Sequence, residues 1–311
     1  MAVAIQLQGL TKHFGRRKKR VVAVKDADLT VEAGQVYGFL GPNGAGKTTT
    51  IRMMLDLIRP TEGTAHIFGK NIRQNHEVLR RVGALVEGAK FYPYLSGRKN
   101  LEVLARTNGN YDKQRVVRLL EQVGLAARAN QRYKGYSTGM KQRLGLAAAL
   151  LHDPELIILD EPTNGLDPAG IQEMRTFIRD LVHQHGKTVF LSSHMLNEVE
   201  QVCDRVAIIN KGEIIREGAV SVLLETQARV RIQAQPLEKA ASLLQERWQV
   251  SLNGEQPHTT FVVESAAEEV PHIVRRLVEN DIDVYEVTSY RQSLEAFFLT
   301  VTHDNEKEKT S

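Results

Sequence analysis

A stretch at residues 35–40 that reads as a strand, the sequence Gly41-Pro42-Asn43-Gly44-Ala45-Gly46-Lys47-Thr48, and a helix-patterned stretch at residues 47–57 follow one another directly. The central eight residues match G-x-x-x-x-G-K-[ST] at every fixed position, in the strand–loop–helix setting that the motif requires. Glycines let the backbone wrap tightly enough for its N–H groups to converge on phosphate oxygens. The helix start adds the positive end of its dipole. Lys47 is placed to reach the β- and γ-phosphates of a nucleoside triphosphate, and the Thr48 hydroxyl to ligate Mg²⁺. Thr49, at the same junction, is a further cofactor-binding candidate.

A second constellation lies far downstream. Residues 156–161 read Leu-Ile-Ile-Leu-Asp-Glu, an apolar run ending in two acids. Such a run suits a strand buried on both faces. Asp160 at its end can hold Mg²⁺ through water, and Glu161 is set to polarise an attacking water. Residues 188–192 and 205–210 read as further strands, and His194 lies just beyond the first of them, where ligands sit in parallel sheets. It is expected to contact the γ-phosphate.

Strand and helix patterns alternate over about the first 215 residues, which implies an α/β domain with a parallel core. Residues 169–185 read as a helix with Ile171, Met174, Phe177, Ile178 and Leu181 on one face. Residues 5–10 and 23–31 alternate and look antiparallel. Residues 87–151 carry helical periodicity at 101–107, 113–123 and 141–151, the mark of a helical insertion. Beyond about residue 220 the order changes. Strands are expected at 230–235, 249–252, 259–264 and 283–288, with helices at 236–247, 266–279 and 293–301. Asn253-Gly254 marks a hairpin. The order β-α-β-β-α-β suggests a small α+β unit of ferredoxin-like type over residues 221–303. A polar tail, 304–311, is expected to be disordered.

Composition narrows the classes. Apolar residues are 42% and charged residues 25%, close to an average globular protein and far from a disordered or collagen-like one. Mean hydropathy is −0.30, and the richest apolar run, residues 144–151, is too short to span a bilayer. Residues 1–10 lack a basic segment followed by an apolar core, so no secretory signal is expected. The one cysteine, Cys203, allows no intrachain disulfide, fits a reducing compartment, and reads as a small packing residue. Trp248, Phe297 and Phe298 read as core of the C-terminal unit. Net charge is +4, too weak to argue for nucleic acid. The basic residues 16–20 read as a solvated hairpin loop, with contact to anionic lipid headgroups as the alternative.

Taken in order, these segments resemble the ATP-binding cassette (ABC) family over residues 3–218. Tyr136-Ser137-Thr138-Gly139-Met140 looks like the signature motif, Asp160-Glu161-Pro162-Thr163 like the acidic strand end, and Gly165-Leu166-Asp167-Pro168 like the D-loop. Phe14 sits where the family places an aromatic that stacks on adenine, and His194 resembles the switch histidine. Two positions depart from the common pattern. The signature is usually L-S-G-G-Q, and Glu87 stands where a glutamine usually links Mg²⁺ and γ-phosphate to the helical subdomain. Both departures, with residues 91–97 and the C-terminal extension, resemble the bacitracin- and lantibiotic-export branch.

The resemblance implies a P-loop ABC ATPase domain (mixed sheet core plus helical subdomain) over residues 1–220. It implies MgATP sandwiched in a head-to-tail dimer, each ATP between the phosphate loop of one subunit and Ser137 and Gly139 of the other. Asp167 would couple the two sites, and Thr48, Asp160 and Glu87 would serve the metal. The function it implies is ATP hydrolysis driving export by a separate transmembrane permease at the cytoplasmic face of the membrane. That permease is expected to dock near residues 87–100, and no nucleic acid is expected. A soluble ABC ATPase acting on chromosomes or ribosomes is the alternative. The span from Lys47 to Asp160 leaves no room for a long coiled coil, and one cassette is present rather than two. A P-loop kinase has no use for residues 137–142.

Overall fold

The computed structural model describes residues 2–15, 20–87, 90–107, 111–225, 228–252, 260–265 and 267–291. Contacts divide the chain into two compact units, Met1–Gly218 and Ala219–Ser311.

The first unit opens with strands β1 (Val3–Phe14) and β2 (Val21–Glu32). They pair antiparallel, with Ile5 opposite Val31 and Leu7 opposite Leu29, so their alternate apolar residues share one buried face. Strand β3 (Val36–Leu40) leads through the phosphate loop into helix α1 (Lys47–Met54). This helix is shorter than its periodicity predicts. The chain leaves it at Leu55 and turns at Asp56, which adopts φ 52°, a conformation that Asp tolerates better than most residues. Strands β4 (Glu62–Ile67), β5 (Lys70–Asn71) and β6 (Val82–Leu85) follow.

Helices α2 (Gly97–Thr107), α3 (Lys113–Gln122) and α4 (Thr138–Ala149) make the helical insertion. Asp112 caps α3 by accepting from the Gln114 N–H at 2.8 Å. Then come β7 (Leu156–Asp160), α5 (Pro168–His183), β8 (Thr188–Ser193), α6 (Leu196–Val202), β9 (Arg205–Asn210) and β10 (Glu213–Ala219).

Two sheets result. One has the order β2-β1-β4-β5 and the other β10-β9-β3-β8-β7-β6. In the second, β3, β8 and β9 are parallel, as are β6, β7 and β8. Strands β3, β7 and β8 are buried along their whole length, which is why they read as unbroken apolar runs. One core joins residues of both sheets, from Ile5, Leu7 and Leu29 to Phe39, Ile158 and Phe190, and takes in Ile51, Met53 and Met54 of α1. Phe190 stacks on Tyr37 at 5.9 Å and meets Phe39 at 5.6 Å. Cys203 is buried, and burial pushes its thiol pKa up, so it packs rather than reacts.

Gly83 of β6 shows how closely the insertion sits on the sheet. A Cβ there would lie 2.2 Å from the Ala149 carbonyl oxygen at the end of α4. Gly83→Ala is expected to cost about 1–3 kcal/mol by overpacking. Scanning calorimetry should show the unfolding midpoint falling by about 2–4 °C for each kcal/mol. An unchanged midpoint would mean that the sheet and α4 separate freely.

In the second unit α7 (Val220–Glu225) precedes β11 (Ala228–Gln235), α8 (Leu237–Gln245), β12 (Gln249–Leu252), β13 (Thr260–Glu264), α9 (Val270–Val278) and β14 (Asp283–Arg291). The sheet order is β12-β13-β11-β14, with antiparallel pairing throughout. Val230, Ile232, Phe261 and Val263 of the sheet pack against Leu244 of α8 and Ile273 and Leu277 of α9, with Trp248 partly buried beside them. The basic residues 16–19, the turn at Asn253-Gly254, Phe297 and Phe298, the helix expected at 293–301 and the tail 304–311 lie outside the described residues. Among the described residues no helix is long and apolar enough to cross a membrane.

Candidate nucleotide-binding site

The parallel order brings the C-terminal ends of β3, β7 and β8 side by side, with Leu40 level with Ser193 and Asp160 level with Ser192. From those three ends run the phosphate loop, Glu161 and His194. Gly41 starts the loop, and its N–H donates to Ser193 O at 3.3 Å. A Cβ on Gly41 would stand 2.2 Å from Ile209 O, so only glycine lets the loop leave the sheet here. Gly46 has φ 111°, a conformation reserved for glycine, and places Lys47 as the first residue of α1.

Lys47 is 5% exposed. Its ammonium donates to Gly41 O at 2.7 Å and Pro42 O at 3.3 Å, and lies 3.1 Å from Glu161 Oε1. Thr48 Oγ1 donates to Asp160 Oδ2 at 2.9 Å, and Ser192 Oγ donates to Asp160 Oδ1 at 2.6 Å. Glu161 takes φ 52°. Its N–H donates to Ser192 Oγ at 3.0 Å, which holds the strained residue with its carboxylate between two neighbours. One neighbour is Lys47. The other is His194, whose Nδ1 is 2.6 Å from Glu161 Oε2. An ionised carboxylate only accepts, so Nδ1 carries the hydrogen in this pair. Asn43, Gly44, Lys47, Thr48, Thr49, Glu161, Asn164 and His194 line an open cleft of about 390 Å³, joined by Ala23 and Gly46.

Thr48 and Asp160 thus offer adjacent hard oxygen donors. No cluster of three or more His, Cys, Asp or Glu side chains suited to a metal occurs among the described residues. A donor set of one hydroxyl and one carboxylate, completed by substrate phosphates and water, is the kind Mg²⁺ takes.

The other expected site residues lie elsewhere. Glu87 has φ 53°, and its exposed carboxylate is ion-paired with Arg52 of α1. Ser137 caps α4, its Oγ accepting from the Met140 N–H at 3.3 Å, and Gly139 lies in the first turn. Neither lines the cleft of its own chain. Tyr136, before them, is buried and donates to Arg128 O at 2.9 Å. Asp167 caps α5 by accepting from the Gly170 N–H at 2.9 Å. Phe14 ends β1, 43% exposed, with the Lys12 ammonium 5.1 Å from its ring centre. Ser192, Asn164 and Arg52 were missed in the sequence. The two serines closing the apolar run of β8 were the available signal for Ser192.

Comparison with known proteins follows the same lines. The ABC transporter family model matches residues 24–164. The uncharacterized ABC transporter ATP-binding protein YdbJ of Bacillus subtilis is 40% identical over 305 residues, 98% of this chain and 97% of that protein. The bacitracin transport ATP-binding protein BcrA of Bacillus licheniformis is 42% identical over 301 residues, 96% of this chain and 97% of that protein. MJ0796, a bacterial ABC transporter cassette of dimeric structure, superposes with a TM-score of 0.64 at 26% identity, over 70% of this chain and 98% of its own. With the phosphate loop, the acidic strand end and the histidine converging on one cleft, the chain belongs to the ABC transporter family as an ATP-binding subunit, an ATPase whose hydrolysis is coupled to transport.

Proposed function

We propose that this chain powers the export of an antibiotic, peptide or drug through a separate transmembrane permease, working as a homodimer that closes on two MgATP at the cytoplasmic face of the membrane. The observation that carries the reading is the placement of Glu161 between Lys47 and His194, at 3.1 and 2.6 Å, in a cleft walled by the phosphate loop. Likeness over almost the whole chain to BcrA, a bacitracin transport ATP-binding protein, supports the export class.

In this mechanism the loop N–H groups and the start of α1 receive the phosphates. Lys47 donates to two loop carbonyls and is ion-paired with Glu161. An incoming γ-phosphate therefore competes with Glu161 for Lys47, and with the same carboxylate for His194. Released from both, Glu161 is free to orient a water and accept its proton. Thr48 and Asp160 would hold Mg²⁺, which, when bound, neutralises phosphate charge, and Glu87 would join them on leaving Arg52. Ser137 and Gly139 supply a second helix start for the γ-phosphate of the partner subunit, and Asp167 couples the sites. Phe14 stacks on adenine. Loss of the γ-phosphate removes the charge both helix starts share, and the dimer opens.

The test is affinity purification of the full chain from membranes. A polytopic membrane protein should accompany it, and ATP turnover should rise when the two are combined. A chain that stays monomeric with ATP and draws no membrane protein would contradict the proposal.

A further inference from the structure

Glu198 belongs to α6, one turn beyond His194, and is 5% exposed. Its Oε2 accepts a hydrogen bond from Thr163 Oγ1. Thr163 is itself 8% exposed and stands two residues beyond Glu161. Oε1 of Glu198 is buried with no hydrogen-bond partner, as is Nε of Arg175. Both residues line a small cavity of about 20 Å³, together with Pro162, Thr163, Ser193 and Val199. A carboxylate buried with one oxygen unpaired is costly, so its surviving bond bears on what it holds in place. α6 has no side-chain cap at its start, and the bond to Thr163 fixes its first turn.

The segment leaving β7 and the segment leaving β8 are thereby tied twice. The first tie is Glu161 to His194 and faces the cleft. The second, Thr163 to Glu198, lies behind it. Between Thr163 and the Asp167 cap of α5 the chain passes Asn164, which lines the cleft, and Gly165 at φ 75°. We propose that Glu198 is a positioning residue for hydrolysis: through Thr163 it holds the 161–167 segment in register with His194, so that Glu161 keeps its aim when the γ-phosphate separates it from His194. This rests on the reading of Glu161 and His194 given above. With the front tie broken by the phosphate, the rear tie persists beside the Glu161 N–H bond to Ser192 Oγ of β8 and the Arg175–Gln201 bond from α5 to α6.

Five variants of the full chain test this: Thr163→Val, Glu198→Leu, the double of these two, Glu198→Gln and Glu161→Gln. Thr163→Val and Glu198→Leu remove the donor or acceptor at nearly constant volume. Each is expected to lower kcat about tenfold, within the range that displaced catalytic groups produce. The dissociation constant for a fluorescent ATP analogue should stay within about twofold, since the phosphate loop is untouched. The double variant should be no slower than either single, because one bond is lost in all three. Glu198→Gln keeps an acceptor for Thr163 and should restore most of the turnover. Wild-type kcat in Thr163→Val would overturn the proposal. So would a Glu198→Gln variant as slow as Glu198→Leu, or a loss of turnover that merely follows a collapse of the unfolding midpoint. Glu161→Gln separates the two levels. If it hydrolyses ATP normally, the site reading itself fails. If it is inactive while Thr163→Val is normal, only the tie fails.

Discussion

Glu161→Gln is expected to slow ATP hydrolysis by about 10²–10⁴-fold, the usual worth of a general base, while ATP binding persists. The side chain keeps its size, so the cleft and the φ 52° backbone at residue 161 need not change. What changes is the chemistry of the two contacts. The carboxylate is ion-paired with Lys47 through one oxygen and accepts from His194 on the other. An amide has a single oxygen, so it satisfies one of these and turns an N–H toward its other neighbour. It also cannot take a proton from water. Binding survives because the loop, Lys47 and Thr48 are untouched, and a phosphate no longer competes with an anion for Lys47. The variant should accumulate as an ATP-bound dimer, visible by light scattering in the presence of MgATP, with phosphate release near background. Turnover at the wild-type rate would remove Glu161 from the mechanism.

Lys47→Ala acts on the other half of the cycle. Here affinity is expected to fall, by roughly 10–10²-fold, taking about 1.5–3 kcal/mol for a charged hydrogen bond and about 1.4 kcal/mol per decade. The residue is 5% exposed, so its charge is little screened by water. Its bonds to Gly41 O and Pro42 O also pin the loop to α1, and their loss lets the phosphate cradle open. Lys47→Arg is no substitute, since a planar fork cannot reproduce one ammonium bonding two loop carbonyls and Glu161. Titration calorimetry with ATP separates this variant from Glu161→Gln, which loses turnover and keeps affinity. An unaltered dissociation constant in Lys47→Ala would mean that the phosphates bind elsewhere.

Much of the site was legible because its parts are local. The phosphate loop, the apolar runs of β3, β7 and β8, and the acids closing β7 each announce themselves within a few residues, since burial on both faces leaves an unbroken apolar pattern. Strands β4, β5 and β6 escaped notice for the complementary reason. Residues 62–67 read Glu-Gly-Thr-Ala-His-Ile, and β5 is two residues long. Their pairing is set by β1 and β7 across the fold rather than by their own composition. Glu87 was placed with the metal donors by analogy, yet its carboxylate meets Arg52, an encounter between a loop and a helix face that no spacing rule contains.

The amino-acid order sufficed for the phosphate loop, the helix starts at Lys47 and Ser137, and the identity of the acids, because backbone conformation and capping depend on neighbours along the chain. Partnership between distant side chains required the fold. Lys47, Glu161 and His194 meet because β3, β8 and β7 lie next to one another and parallel, and hydrogen bonds are made or lost within a fraction of an ångström. Strand order sets those distances, and strand order follows from how the whole core packs.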